Sequence, residues 1–94
     1  GPKSAAASKA PTAPAAKLGY GDQRRLEELD RLMPERQAEI AKLEAAMADP
    51  DLFTKQPAEF QKKVARLQAA RAELESHEVE WLALEEKRDS LARG

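Results

Sequence analysis

A chain of 94 residues, 35% of them charged, with two Phe, one Trp, one Tyr and no cysteine, holds at most one small domain with a thin core, which excludes a large buried pocket. The missing cysteines exclude a disulfide framework and a thiolate metal site, the lone His77 excludes a histidine cluster, and no run nears the roughly 18 apolar residues that would span a bilayer. The formal net charge of −1 hides strong blocks: five basic residues against one acidic in 1–25, three against eight in 26–53, five against one in 54–72, and three against seven in 73–94.

Residues 1–16, GPKSAAASKAPTAPAA, are small residues, prolines and two lysines without apolar periodicity. Such a segment cannot bury enough surface to offset the entropy of ordering it, so it is expected to be a flexible Ala/Pro/Lys linker ahead of a domain at 17–94. Gly1 and Pro2 read either as native sequence or as a scar of tag removal. With no apolar core of a signal peptide near the N-terminus, the expected location is cytoplasmic.

From Asp22 onward Leu26, Leu29, Met33, Ile40, Leu43 and Met47 recur at the 3,4 spacing of a heptad seam, with Arg36 in the one remaining position. Pro34 falls inside this run and is expected to break or kink it within a turn of Leu32, giving a short helix from about Asp22 to Leu32 and then a coil helix ending at Ala48. The stretch MADPDLFTKQPAEF, Met47 to Phe60, then interrupts the pattern. Asp49 can cap a turn that starts at Pro50, and Pro57 suits the first turn of a second long helix, where a missing N–H costs nothing. One tight turn of the 3₁₀ kind is expected between them, with Leu52 and Phe53 folded back to seal the coil and Phe53 largely buried against Met47 or Phe60.

Phe60, Val64, Leu67, Arg71 and Leu74 continue the seam, and Trp81, Leu84, Arg88 and Leu91 resume it one residue out of phase. That slip near His77 and Glu78 predicts a stammer. If the chain reverses at the tip, Met47 faces Phe60, Leu43 faces Val64, Ile40 faces Leu67, Met33 faces Leu74 and Leu26 faces Trp81, the residue numbers of each pair adding to 107. The pattern predicts an all-α antiparallel two-helix hairpin. Arg36 and Arg71 meet midway, and since two arginines cannot both sit desolvated they are expected to reach outward to Glu39 and Glu75.

The segments KLGYGDQRRLEEL from Lys17, AEIAKLEAAMADPDLF from Ala38 and EWLALEE from Glu80 resemble, in order and spacing, the C-terminal domain of Uup-type ABC-F ATPases. The resemblance runs from Lys17 to about Leu91 and implies a coiled-coil hairpin tied by a flexible linker to the second of two ATP-binding cassettes, with nucleic-acid binding attributed to the hairpin. The chain departs from that pattern with Asp30 where a proline is common, Pro34 one turn later, and Arg36 in place of an apolar residue. Tyr20 and Leu18, in the family's opening segment, are expected to fold back over Trp81 and Leu84.

No Gly-x-x-x-x-Gly-Lys-Ser/Thr loop occurs, so no ATP chemistry is expected of these residues and no cofactor is implied. The many carboxylates read as solvated helix faces rather than as an acid–base pair, and His77 with Glu73 and Glu80 reads as an ordinary histidine among glutamates. Trp81 can stack on a base or pack in the core, and its heptad position favours the core. Lys62 and Arg66 are expected to point outward and Lys63 to flank them; with Lys55 near the tip and Lys42 across the hairpin they form the candidate phosphate-binding set, against the alternative of a merely solvated face. Nothing resembles a base-reading helix, so sequence-nonspecific backbone contact is the expected mode. DNA is the expected partner, with ribosomal RNA or the ribosome as an alternative, beside the ATP-binding cassettes of the parent chain; no membrane contact is expected, and the hairpin is expected to be monomeric. The competing reading is a protein-docking hairpin, which the acidic run from Glu73 to Asp89 supports.

Overall fold

A computed structural model describes residues 17–94, so the linker expected over 1–16 lies outside the described residues. Three helices follow in order: α1 (Tyr20–Met47), α2 (Pro50–Lys55) and α3 (Pro57–Arg93). The long helices α1 and α3 pack side by side in opposite senses with α2 at the bend, the antiparallel hairpin that the residue pairing predicts. At about 1.5 Å per residue α3 is roughly 55 Å long, so the molecule is a rod with a single seam for a core.

The buried apolar side chains among the described residues are Leu18, Leu26, Leu29, Leu67 and Ala70, with Leu29 and Ala70 fully enclosed. Met33, Ile40, Leu43 and Met47 from α1 are half-buried, as are Phe60, Val64, Leu74, Trp81, Leu84 and Leu91 from α3. One of these residues revises the expected seam. Ala70, not Arg71, occupies the position after Leu67, while Arg71 is exposed and its guanidinium donates to the Glu44 carboxylate. With Ala70 in place the spacing Leu67, Ala70, Leu74, His77, Trp81, Leu84 stays in phase, His77 being half-buried on the same face, so the slip moves from His77 to Val64, Leu67 and Ala70, where two spacings of three follow each other. A methyl side chain lets the helices approach where an arginine would hold them apart.

The expected break at Pro34 is also corrected, since α1 passes through it. An interior proline costs on the order of 3 kcal/mol because it removes one helical hydrogen bond and crowds the preceding turn. Here both Pro34 and Asp30, whose carbonyl loses its donor, are exposed, so water can take that acceptor. Seam residues on both sides of Pro34 pack on one partner helix, and ending α1 there would forfeit half of that contact.

The tip is assembled by short-range hydrogen bonds. The Asp49 carboxylate accepts from the Asp51 N–H at 2.9 Å, Pro50 takes the first helical position, the Thr54 hydroxyl donates to the Pro50 carbonyl at 3.1 Å, and the Gln56 N–H donates to the Leu52 carbonyl at 3.0 Å. Pro57 opens α3 as expected. The tip is α-helical rather than 3₁₀, because six residues with a side-chain cap suffice for a complete α-turn. Phe53 departs from expectation more plainly: its ring meets Phe60 edge-on at 5.1 Å between centroids, yet the residue is 58% exposed. Leu52 is the half-buried member of the pair.

At the opposite end Leu18 is buried and its carbonyl accepts from the Gln23 side-chain amide at 3.1 Å. Tyr20 instead lies outward, with the Arg24 guanidinium 5.7 Å from its ring centre and donating to its hydroxyl at 2.9 Å. Lying over a cation, the ring has a partner that needs no burial.

Candidate nucleic-acid interface

The flanks of the seam determine which charges remain available. Arg66, Glu73, Glu80 and Lys87 stand seven residues apart along α3, and each reaches across to α1: Arg66 to Glu39, Glu73 to Arg36, Glu80 to Arg25 and Lys87 to Asp22. Arg71 and Glu44 join the opposite flank. This is the flanking ion-pair column of a coiled coil, and its pairings hold only for helices running in opposite senses.

Arg66 is the centre of the column. It donates to both oxygens of Glu39, at 2.5 and 2.7 Å, and to both oxygens of Glu73, at 3.3 and 3.2 Å, while Arg36 bridges Glu39 and Glu73 from the other helix at 3.2 Å to each. The expectation of outward arginines is met for Arg36, which takes Glu39; Arg71 chooses Glu44 over Glu75 because Glu44 lies on the facing helix. The expectation that Arg66 points to solvent is corrected. Counting from a seam that included Arg71 turned the helix too far, and with Ala70 as the inner residue Arg66 falls beside α1. Hydrogen bonds donated to Glu39, then to Glu73, hold the guanidinium more firmly charged than usual. The Nε of Arg36 is buried without a partner, a cost of crowding two arginines into one layer.

The carboxylates respond in the reverse sense. Glu39 is held below the usual carboxylate range chiefly by its bonds from Arg66, Glu73 by Arg66 and then Arg36, and Glu80 by Arg25. A carboxylate whose folded value lies below its unfolded value, about 4.3 for Glu, contributes stability above that value and loses it as pH falls through the folded one. The melting temperature should therefore be level from neutral pH to about 5 and decline below it, less steeply in high salt because these pairs are solvent-accessible. A flat profile down to pH 3 would show that the column contributes nothing. Replacing Arg66 by Gln removes one of the two cations shared by Glu39 and Glu73, leaving Arg36 alone on both, and should lower the melting temperature more than Lys62→Gln, compared by thermal circular dichroism.

The remaining cations fall into place around this column. Lys62 is 76% exposed, 3.4 Å from Glu59, and Lys55 is 73% exposed, 3.6 Å from Asp51. Lys42 of α1 and Lys63 of α3 line one open groove of about 570 Å³, walled also by Glu35, Arg36, Glu39 and the apolar Ala38, Leu43 and Ala46. Neither has a carboxylate within ion-pair distance among the described residues. The sequence places Lys42 across the hairpin from Lys63 but does not show that the two line one groove; Lys63 lies four residues before Leu67 and four after Glu59, and its half-buried stem follows from a position beside the seam. Among the described residues no group of His, Cys, Asp and Glu is arranged to hold a metal ion, and no helix is long and apolar enough to cross a membrane.

Residues 17–86 match the family model described as the ABC transporter C-terminal domain. The chain is 56% identical, over 97% of its length, to the ATP-binding protein Uup of Caulobacter vibrioides, and 37% identical, over 86% of its length, to the ATP-binding protein Uup of Escherichia coli. A Uup-like ATP-binding protein of Haemophilus influenzae is 38% identical over 78% of the chain. The chain spans only 16% of the Caulobacter relative, 13% of the Escherichia one and 16% of the Haemophilus one. No solved structure matches it. With the Lys-Leu-x-Tyr opening, the Ala-Asp-Pro-Asp-Leu-Phe tip and a family match over both arms of the hairpin, the chain belongs to the ABC transporter C-terminal domain family, in its Uup-type ABC-F branch.

Proposed function

We propose that this hairpin is a non-catalytic, sequence-nonspecific nucleic-acid-binding module that adds affinity to an ABC-F ATPase. The observation that carries the reading is the pair Lys42 and Lys63, brought from two helices into one groove without carboxylate partners among the described residues, with the exposed Lys62 and Lys55 beyond it. Lysine is a mobile point charge suited to tracking phosphates without fixed geometry, and DNA backbone contact asks for nothing more. Arg66 is left out of the contact set because its donors are taken by Glu39 and Glu73. Titration of labelled duplex DNA at two salt concentrations tests the proposal; absent binding, or binding indifferent to salt, would reject it.

A second reading, docking on a protein, is favoured by one observation. Val79 and Leu82 are 65% and 54% exposed on the acidic half of α3, a surface that repels phosphate and offers apolar area to a basic partner. Binding that survives loss of the lysine charges would favour it.

A further inference from the structure

We propose that Phe53 is a base-stacking residue, and that the lysine groove therefore holds single-stranded or locally unpaired polynucleotide in preference to perfect duplex. This deepens the nucleic-acid reading above and rests on it. Phe53 is one of the most exposed large apolar side chains of the described residues, although an aromatic neighbour is at hand: the rings of Phe53 and Phe60 meet edge to face, 5.1 Å between centroids and 66° between planes, and Phe53 remains 58% exposed. An edge-to-face pair fixes a ring's orientation without covering both of its faces. The ring stands on a helix whose cap, hydroxyl and closing bonds involve Asp49, Thr54 and Gln56, so its backbone is held in place.

Position links the ring to the lysines. Phe60, which it touches, lies three residues before Lys63, on the same side of α3, and Lys63 shares its groove with Lys42. A strand whose phosphates follow the lysines toward the bend thus brings a base to Phe53. The tip's acidic groups do not oppose this. Asp51 lies 3.6 Å from Lys55, Asp49 is occupied in capping α2, and the group arriving at the ring is a neutral base rather than a phosphate. Bases paired inside a duplex have no face to offer, whereas each unpaired base does, which makes stacking the term that separates the two ligands.

The test uses the whole chain and three probes, an oligo-dT and an oligo-U of about twelve nucleotides and a duplex of similar length, followed by fluorescence anisotropy. Phe53→Leu keeps apolar bulk and removes the π-face, whereas Phe53→Trp keeps and enlarges it. Phe53→Leu should weaken the single strands about 5- to 150-fold, the range for one stacked base, change the duplex by less than about twofold, and leave Phe53→Trp at least as tight as the parent. The oligonucleotide that suffers the larger loss identifies DNA or RNA as the natural source of the base. Unchanged single-strand affinity in Phe53→Leu overturns the proposal, and so does an equal loss on duplex, which a merely structural role would produce. Should Phe53→Leu fail to fold, Trp emission in Phe53→Trp decides, with the Trp81 emission of the parent as the baseline: saturable quenching by oligo-dT or oligo-U beyond that baseline supports stacking, and none beyond it overturns it. The parent reading is scored separately with Lys42→Gln/Lys63→Gln. If that pair loses all three probes while Phe53→Leu loses none, the lysine groove stands and stacking falls; if the parent protein binds none of the probes, both fall.

Discussion

Leu29→Ala is expected to cost about 2–5 kcal/mol and to lower the melting temperature by roughly 8–40 °C, the largest stability loss of any single truncation in the hairpin. Leu29 is 0% exposed and is the largest fully buried side chain of the described residues. A rod with one seam has little material that can collapse into the space left by three carbons, so the cavity term should be near its upper range. At roughly 0.05–0.15 kcal/mol per residue, a domain of this size has only about 4–12 kcal/mol to lose. Leu82→Ala provides the control: the same chemical change at a position 54% exposed should fall within about 0.5 kcal/mol. Urea unfolding of the two variants beside the parent makes the measurement, and equal losses would mean that the seam is not the interface holding α1 to α3.

The hairpin itself was legible in the sequence because its signal is long. Five apolar α1 positions and their partners across the bend obey one spacing and one pairing rule, the exceptions being Leu29, opposite Glu78, and Arg36, opposite Arg71. Single-residue decisions inside that pattern were less secure. After Leu67 the spacing permits either Ala70 or Arg71; choosing Arg71 puts the phase slip near His77, whereas Ala70 puts it just after Val64 and carries the seam unbroken from Leu67 through His77 to Trp81. The run from Leu67 to Leu84 is the available signal, a faint one because alanine is weakly apolar, although its small size suits a close helix contact. Pro34 was misread for a different reason. Its local cost is real, but packing along the whole of α1 outweighs it, and propensity rules do not contain long-range packing.

Of the candidate site, the residue types were legible and their allegiances were not. Lys42, Lys55, Lys62, Lys63 and Arg66 look alike to a charge count, yet one of the five is bound on both sides by carboxylates from two helices, two carry a nearby acidic neighbour, and two have none among the described residues. That division depends on which flank of the seam each residue occupies, so the same one-residue error that placed Arg71 inside also placed Arg66 outside. The exposure of Phe53 had no sequence signal. A phenylalanine beside a bend is equally consistent with a plug and with a presented ring, and only the angle at which α2 crosses the end of the coil separates them.

The lysine groove makes the second large-effect prediction. If Lys42, Lys55, Lys62 and Lys63 each neutralise a phosphate of duplex DNA, the logarithm of affinity should fall with the logarithm of salt at a slope of about −0.9 × 4, or −3.6, so that raising salt from about 50 to 200 mM weakens binding on the order of a hundredfold. Neutralising the two groove lysines as Lys42→Gln/Lys63→Gln removes two such contacts and should bring the slope to about −1.8. Since each contact contributes about 0.9 decades of affinity per decade of salt below 1 M, the double variant should bind roughly sixtyfold more weakly at about 0.1 M and converge with the parent as salt approaches 1 M. Stability should change little, because glutamine keeps most of the apolar stem and neither lysine gives up an ion pair among the described residues. Arg66→Gln provides the contrasting case: it loses stability through Glu39 and Glu73, and wherever it remains folded it should leave the slope at the parent's value. A slope that falls with Arg66→Gln but not with the lysine pair would put the phosphates on the other flank of the hairpin, and a slope unmoved by either would leave the exposed apolar residues of α3 as the better guide to what the domain binds.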